Sequence, residues 1–494
     1  MEAVLHRLTS TAKAQPLLWG FITLVFISGL VAAAVESPLP LVLPAGALTI
    51  GLGLQKLKAL YLICIALIPF STEVQFGSLG TDLPAEPAMW LLTGLGALYF
   101  LRNLQKIEGS LLRHPITIAL LFHLTWLLLT TLTSNYPATS IKFFLAKMWY
   151  VIPFFALTTI LLRSKLDLHK VILAIALPLT VVLLYCLVRH AALGFSFEDV
   201  NRAMAPFFRN HVTYAALTSI ALPFLLVGAF SFRKNSLWRY VLLIASLISL
   251  VAIQTSYTRA AYASLFIAAA YVVVMRFRLT KHALILAMVL VVAFSTFVVS
   301  NNRFFKFAPN YNKTVTHTDF DNLLEATYKL EDISTMERVY RWVAGSYMTA
   351  EHPLMGFGPG NFYRFYKGYA LESFRTYVSD NPEHSGIHNY YLMTVVEQGW
   401  PGLVFFVILF YTGLITAERA YHRTKNKSVR LAIIIFSSSL VVNLSFQLIN
   451  DMIETDKAGP WFFMCLAGIV VLDLQSRLNK PWDQGEANEI PDVT

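Results

Sequence analysis

Polar sequence gives way to an apolar helix at Glu383-His384-Ser385-Gly386-Ile387-His388-Asn389-Tyr390-Tyr391-Leu392. This stretch closes a polar segment of 88 residues, 301–388, and leads back into the apolar runs that make up most of the chain. Because it joins a water-exposed segment to a membrane helix, we expect His388 to lie at the mouth of a membrane domain. A histidine in that place can take a proton from a lipid-borne substrate.

The composition excludes a soluble globular protein. Of the 494 residues 56% are hydrophobic and only 14% are charged, and the mean hydropathy is +0.57. A soluble protein would need many more polar groups on its surface. The sequence therefore predicts an all-α polytopic membrane protein of about 12–14 transmembrane helices, each crossing about 30 Å of hydrocarbon. The apolar runs lie at roughly 17–35, 38–54, 59–70, 88–101, 115–133, 141–162, 171–190, 212–231, 240–256, 260–275, 283–300, 389–417, 431–449 and 460–474.

Lysine and arginine concentrate in alternate connections, which predicts the orientation. With both termini cytoplasmic, the basic connections fall inside, whereas the outer loops 71–87 and 133–140 contain no lysine or arginine. The net charge of +10 then reflects membrane insertion, not nucleic-acid binding. We expect about 11 spans in residues 1–300, an extracytoplasmic loop domain over 301–388, about three spans in 389–474 and a polar cytoplasmic tail over 475–494.

The long outer segment has its own helical patterns, with nine Lys or Arg and ten Asp or Glu. Helices are predicted around 320–330 and 334–351, and Ser334 followed by Glu337 resembles a capping box. Arg338, Arg341 and Trp342 fall on one face of the second helix by their i, i+3 and i+4 spacing. A segment of this length between membrane helices is typical of a functional loop.

The second helix ends at Glu351-His352-Pro353-Leu354-Met355-Gly356-Phe357-Gly358-Pro359-Gly360-Asn361. Proline stops the helix, and the glycines allow a tight turn, which either serves packing or brings backbone close to a ligand. The turn is not a phosphate-binding loop, because no Gly-Lys-Ser/Thr follows, and the chain has no nucleotide-binding fingerprint. These observations argue against an ATP-driven pump.

Several cations lie on the outer side, which the insertion rule disfavours. An anionic ligand such as a phosphate or pyrophosphate explains the set, while headgroup anchoring or ion pairing explains any single member. Arg202, Arg209 and Asn210 precede a helix that enters the membrane and could line the same site. The cations are Lys142, Lys147, Arg189, Arg202, Arg209 and Arg259.

Two patterns leave a metal site open as an alternative. His384 and His388 would share a helical face if the helix began early, but Pro382 and Gly386 disfavour that start. Asp319-Phe320-Asp321 has the Asp-x-Asp spacing of many metal-dependent sugar transferases. Cys64, Cys186 and Cys465 all lie in apolar runs and indicate neither a disulfide framework nor a cysteine-based metal site. We expect no metal and no other cofactor.

Four elements in order resemble the O-antigen ligase and O-antigen polymerase superfamily, over roughly residues 200–415. They are Thr255-Ser256-Tyr257-Thr258-Arg259-Ala260-Ala261, then Glu337-Arg338 with Trp342, then the glycine-rich turn 351–361 followed by Phe362, then His388-Asn389 with Gly399-Trp400-Pro401-Gly402-Leu403. The part before residue 200 matches only as a stack of spans.

The resemblance implies a membrane glycosyltransferase of the GT-C type that takes a glycan from undecaprenyl pyrophosphate on the outer face of the bacterial inner membrane. By that resemblance Arg259 and Arg338 hold the pyrophosphate, His388 is the catalytic histidine, and the metal-independent reaction inverts the anomeric centre. Arg341 and Asn389 are further candidates for substrate binding, beside Arg202, Arg209, Asn210, Lys142 and Lys147.

The chemistry of the residues agrees with these roles. Arginines stabilise a departing pyrophosphate, and a neutral histidine can accept the proton of an acceptor hydroxyl. The first interpretation is a ligase acting on lipid A core. A polymerase with a second lipid-linked glycan as acceptor, a protein O-oligosaccharyltransferase and a lipid-linked glycan transporter are the alternatives. The long outer loop with its His and Arg residues counts against the transporter.

Overall fold

The structure, a computed structural model, describes residues 23, 27, 28, 53, 56–76, 79–300, 333–374, 379–381, 385–478 and 482. Within these ranges thirteen long helices follow one another along the chain. They are α1 (Leu57–Leu67), α2 (Ala85–Arg102), α3 (Pro115–Leu132), α4 (Pro137–Leu161, with a π-helical turn over Ile152–Leu157), α5 (Lys165–Ala192), α6 (His211–Ala229), α7 (Leu237–Thr255), α8 (Arg259–Arg276), α9 (Thr280–Val299), α10 (Ile333–Glu351), α11 (Tyr390–Arg423), α12 (Lys427–Phe446) and α13 (Gly459–Arg477).

Shorter elements occupy the connections. Helical turns cover Gly109–Leu112, Val200–Met204 and Phe362–Phe365, and 3-10 turns cover Ile68–Phe70, Leu104–Lys106, Tyr366–Tyr369, Glu372–Phe374 and Met452–Glu454. Strands β1 (Thr72–Phe76) and β2 (Leu79–Leu83) form an antiparallel hairpin in which Thr72 lies opposite Leu83. The predominance of helix confirms the predicted all-α class.

Ten of the described helices are long and apolar enough to cross a membrane, which confirms a polytopic membrane protein. The predicted spans 17–35 and 38–54 lie outside the described residues, as does the predicted helix 320–330. The predicted span 59–70 forms the shorter helix α1 and a 3-10 turn. The predicted span 88–101 lies within α2, which is not among the ten helices that could cross a membrane.

Helices α6, α12 and α13 form the interior of the bundle. Between 78% and 83% of each span is buried, whereas the figure is 28% for α8 and 6% for the span in α9. The Phe224 ring of α6 packs on Phe436 of α12 at 5.3 Å and on Trp461 of α13 at 5.6 Å between centroids. The outer helices expose large apolar side chains, such as Phe266 at 77%, which a lipid environment accommodates.

Helix α11 reverses direction within its length. The rings of Tyr390 and Phe406 are 5.0 Å apart, although 16 residues of a continuous helix would separate them by about 24 Å. Tyr391 likewise meets Phe410 at 6.2 Å. The sequence predicts a single span over 389–417, but the structure has an outer arm (residues 390–398) folded back on an inner arm (residues 400–423). We call this pair the α11 hairpin.

Gly399 makes the reversal. Its φ of 71° and ψ of 178° break the helix, and the left-handed φ favours glycine. The backbone groups freed by the break find partners from other elements. Trp400 N donates to Pro353 O at 2.9 Å, and Trp126 Nε1 of α3 donates to Gln398 O at 2.8 Å.

The glycine-rich turn after α10 is built against the outer arm. Phe357 N and Gly358 N donate to the carbonyls of Val396 and Glu397, each at 2.9 Å. A Cβ on Gly356, whose φ is 64°, would lie 2.4 Å from the carbonyl carbon of Glu397. The packing interpretation of this turn therefore accounts for its glycine at 356, since the backbone approaches another helix there.

The Glu397 side chain completes this contact. Its carboxylate accepts from Gly360 N at 2.8 Å and from Phe362 N at 3.1 Å, and Glu397 is 2% exposed. Asn361 Nδ2 donates to the Ser134 hydroxyl at 2.8 Å and so fixes the turn to the connection between α3 and α4. The outer loop, α3, α4 and the α11 hairpin are thereby held together beside the site.

We predict that Gly399→Ala destabilises the protein strongly, because the new Cβ would lie 2.0 Å from Leu354 O at a left-handed φ. A loss of roughly 3 kcal/mol or more is expected from the strain and the collision together. Thermal unfolding in detergent measures it. Gly94→Ala is the control, since a Cβ there meets nothing within 4 Å in the middle of α2 and should leave the unfolding temperature unchanged or higher. Equal unfolding temperatures for both variants would contradict the prediction.

Candidate functional site

His388 lies half-buried at the base of the outer arm, and we call its surroundings, which include Arg338, Arg341, Gly386 and Asp451, the recess. Since Tyr390 sits beside Phe406, the histidine is about 9 Å below the Gly399 turn, measured along the inner arm. Its backbone is left-handed, with φ 55°, a conformation that costs a non-glycine residue roughly 1–2 kcal/mol. Its Nδ1 is buried and has no hydrogen-bond partner among the described residues.

Helix α10 holds the residues that precede His388. Arg341 Nη1 donates to Gly386 O at 3.0 Å, and Trp342 Nε1 donates to Ile387 O at 3.1 Å. These are two of the three side chains that the sequence places on one face of this helix. The two bonds fix the backbone from which the histidine side chain projects.

The start of α11 is fixed from the other side. Asn389 caps the helix, its Oδ1 accepting from Leu392 N at 3.0 Å, so this amide has a structural function in the described conformation. Tyr390 N donates to Gln447 O at 2.9 Å, which ties the site to the outer end of α12. His388 is therefore positioned by three separate elements of the fold.

Arg341 is the most enclosed cation near His388, at 5% exposed. Glu337, one turn earlier, lies 3.6 Å from its Nη2 and accepts a 2.7 Å hydrogen bond from the Ser379 hydroxyl. Arg341 Nε is buried without a hydrogen-bond partner in the described part of the chain. One carboxylate thus stands beside this guanidinium, and a donor group stays available.

The electrostatics of the recess keep His388 neutral. Burial, the largest cause, and the positive charges of Arg341 and then Arg338 together lower its pKa to about 3. The two arginines therefore act on the imidazole directly. A recess in which cations depress the pKa of a histidine favours the binding of an anion.

Asp451 completes the recess and is a residue that the sequence interpretation missed. A Cβ added to Gly386 would lie 1.8 Å from Asp451 Oδ2, so this carboxylate packs directly on the backbone two residues before His388. Burial raises its pKa to about 6, with Glu454 adding to the rise and Arg341 opposing it. The only sequence signal was an acidic pair, Asp451 and Glu454, in the last outer connection.

Lys147 lies beneath the site as part of an internal ion pair. It is 1% exposed, pairs with Glu454 and donates to the Tyr390 hydroxyl at 3.3 Å. Its ammonium group also lies 5.4 Å from the centre of the Phe143 ring. In this arrangement Lys147 supports the floor of the recess and does not face solvent.

The other predicted residues are spread over the outer face. Arg259 is half-buried at the first position of α8 and is not among the cations that lower the pKa of His388 in the described structure. Arg209 pairs with Glu73 at 2.8 Å and is 62% exposed. Three further candidates are exposed: Lys142, Arg202 beside Asp199, and Asn210, which caps α6.

The described residues do not form a metal site of the kind that the two sequence patterns suggest. In the described ranges no group of three His, Cys, Asp or Glu residues could hold a metal ion. His384, Asp319 and Asp321 lie outside these ranges. For Ser334, the predicted capping residue, the structure describes the backbone alone.

Comparison with known families bears on the region that contains this recess. The family model described as O-antigen ligase matches residues 244–407, from the middle of α7 to the inner arm of the α11 hairpin. This part of the chain is thus similar to the O-antigen ligase family. This confirms the resemblance drawn from the sequence motifs, and the match includes His388, Arg338, Arg341 and Arg259.

The family gives the coarse function of the domain. It is of the O-antigen ligase and polymerase type, acting in a multi-pass membrane protein on lipid-linked glycans. No curated protein matches the chain.

We predict that Arg338→Gln raises the pKa of His388, because it removes a positive charge that opposes protonation of the imidazole. NMR titration of histidine-labelled protein measures the change, with His388→Gln identifying the resonance. Arg364→Gln serves as control, since Arg364 stacks on Tyr136 at 4.5 Å and does not act on His388. A His388 pKa that is unchanged in Arg338→Gln would contradict this account of the recess.

Proposed function

We propose that the protein is an O-antigen ligase-type glycosyltransferase. It transfers a polysaccharide from undecaprenyl pyrophosphate to a hydroxyl of lipid A core, at the periplasmic face of the bacterial inner membrane. The observation that carries the proposal is that His388, Arg338 and Arg341 meet in one recess inside the O-antigen ligase domain.

The arginines would receive the pyrophosphate of the donor. Arg338 and Arg341 come from one face of α10, and Arg341 Nε is a buried donor that an oxygen of the pyrophosphate can satisfy. Arg259, at the outer end of α8, would reach the same group from the neighbouring helix. Each well-placed donor of this kind stabilises the developing charge by about 3 to 4 kcal/mol.

His388 would be the general base. It takes the proton of the acceptor hydroxyl as the hydroxyl oxygen attacks the anomeric carbon. The bond from that carbon to the pyrophosphate oxygen breaks, and its electron pair leaves with undecaprenyl pyrophosphate. Attack from the face opposite the leaving group inverts the anomeric centre, and the imidazolium then returns its proton to water.

Donor binding would also prepare the base. An imidazole whose pKa is about 3 is a weak proton acceptor at neutral pH, because efficient general bases titrate near the working pH. A bound pyrophosphate neutralises the two arginines that add to the effect of burial, so the pKa of His388 rises above its value in the free protein. His388 would therefore become an effective base only in the presence of the donor.

The acceptor separates the alternatives. A polymerase would use the same donor site and a second lipid-linked glycan as acceptor, and a protein O-oligosaccharyltransferase would use a protein hydroxyl. Deletion of the gene, followed by gel analysis of surface polysaccharide, distinguishes the first two. Loss of all long chains from lipid A with accumulation of carrier-linked polymer indicates a ligase. Lipid A capped by single repeats indicates a polymerase.

We predict that His388→Ala lowers the rate of transfer by roughly a hundred- to ten-thousandfold, the usual contribution of a general base. Purified protein, a labelled undecaprenyl pyrophosphate glycan and lipid A core provide the assay. Donor binding should survive, because the arginines remain. His352→Ala is the matched control, since His352 is 45% exposed beside Glu351 and should leave the rate unchanged. Full activity of His388→Ala would overturn the assignment of the base.

We predict different acid limits for the two kinetic parameters. The free protein has His388 neutral down to about pH 3, so kcat/KM should not fall through protonation of His388 above pH 4. In the donor complex the pKa of His388 is raised, so the fall of kcat with decreasing pH should begin at a higher pH than any fall of kcat/KM. Initial rates measured from pH 5 to 8 at low and saturating donor test this. Identical acid limbs would show that the donor does not change the pKa of the base.

A further inference from the structure

A second basic site lies at the opposite end of the helix bundle. A cavity of about 350 Å³ is lined by Arg278, Glu418, Arg419, His422 and Arg423. It lies where α8 passes to α9 and where the inner arm of the α11 hairpin ends, so the length of a membrane span separates it from His388. It takes no part in the chemistry proposed above.

The acidic side chain of the cavity already has a partner. Glu418 Oε2 accepts a 2.9 Å hydrogen bond from Thr280 N and so caps the start of α9. Arg423 donates a hydrogen bond to Asp473 at 2.8 Å, and the same carboxylate accepts one from Arg477 at 2.6 Å. The charge of Asp473 is thus paired with arginines, whereas Glu418 keeps its charge, so the cavity lining carries three arginines and one glutamate.

Two arginines are left with uncompensated charge. Arg278 and Arg419 are exposed and form no ion pair within the part of the chain that the structure describes. Planar guanidinium groups bind phosphate oxygens in pairs of parallel hydrogen bonds. Two of them at one cavity suit a phosphate better than a singly hydrogen-bonded polar group.

Helix α9 begins two residues after Arg278 and presents an exposed apolar surface beside the cavity. Most of this helix is exposed, and a 2.9 Å hydrogen bond from the Tyr411 hydroxyl to Leu284 O ties it to the inner arm. The side chains of Leu286, Leu290 and Phe297 point away from the protein, at 59%, 60% and 57% exposed. Acyl chains can therefore pack along α9 while a headgroup occupies the cavity.

We propose that this cavity binds the phosphate of an anionic phospholipid, with Arg278 and Arg419 as its ligands. The phosphate lies at the headgroup level of the leaflet opposite the recess of His388, and its acyl chains lie against α9. Basic pockets between transmembrane helices are known to bind anionic headgroups in this way. The bound lipid would join α9, whose own contacts with the bundle are few, to α8 and α11.

The test compares lipids in nanodiscs made from the full-length protein. We expect phosphatidylglycerol to raise the unfolding temperature relative to phosphatidylcholine, and native mass spectrometry to detect retained phosphatidylglycerol. The double variant Arg278→Gln/Arg419→Gln should lose the temperature shift and bind the lipid roughly tenfold or more weakly, since charged hydrogen bonds are lost. If the double variant does not fold, Arg419→Gln alone should show a reduced shift that Arg419→Lys partly restores.

The control removes the same charge elsewhere on the same face. Arg233→Gln/Lys234→Gln alters two exposed cations in the connection between α6 and α7, away from the cavity. Its lipid response should equal that of the unmodified protein, and an equal loss in both double variants would overturn the site in favour of general surface attraction. A last measurement adds inorganic phosphate to the protein in phosphatidylcholine nanodiscs. If it reproduces the whole temperature shift, the ligand is a soluble phosphate and the lipid assignment is wrong.

Discussion

The hydrogen bonds of one buried carboxylate hold the outer half of this protein together. Glu397 accepts from the backbone of the glycine-rich turn, and two residues later Gly399 reverses the chain. Because both features belong to one short stretch, the turn and the α11 hairpin have to form together. The recess exists only in that arrangement, because the reversal places the start of the outer arm, next to His388, at the level of Phe406 on the inner arm.

The charges of the recess follow from the same arrangement. Arg341 and Trp342 of α10 bind the backbone just before the hairpin, and Arg338 lies on the same face of that helix. The imidazole is then enclosed beside two cations, and its protonation is unfavourable. An anion that enters this recess gains attraction from both arginines and removes the part of the pKa depression of His388 that their charges cause. Donor binding and proton transfer are thus linked through one electrostatic field.

Much of this could be predicted from local sequence. Apolar runs located most of the described spans, and helical spacing placed Arg338, Arg341 and Trp342 on a common face. Ordered motifs around His388 pointed to the family that the comparison of residues 244–407 supports. The reversal at Gly399 was not predicted: Glu397, Gln398 and Gly399 interrupt the apolar run 389–417, but the backbone partner of the turn, Pro353, lies in a separate segment. Lys147 was interpreted as an outward-facing cation because Glu454, its partner, is 307 residues distant in the chain. The place of Asp451 depends in the same way on long-range packing against Gly386.

The ion pair of Lys147 and Glu454 limits how far the helices beneath His388 can move apart. Lys147 is enclosed by Glu454, the rings of Phe143 and Phe463, and the fully buried Tyr390, which follows His388 by two residues. Separating the two charges inside a region of low polarity costs several kcal/mol. The helices beneath His388 are therefore costly to part, and this portion of the bundle favours a fixed scaffold over one that opens in each catalytic cycle.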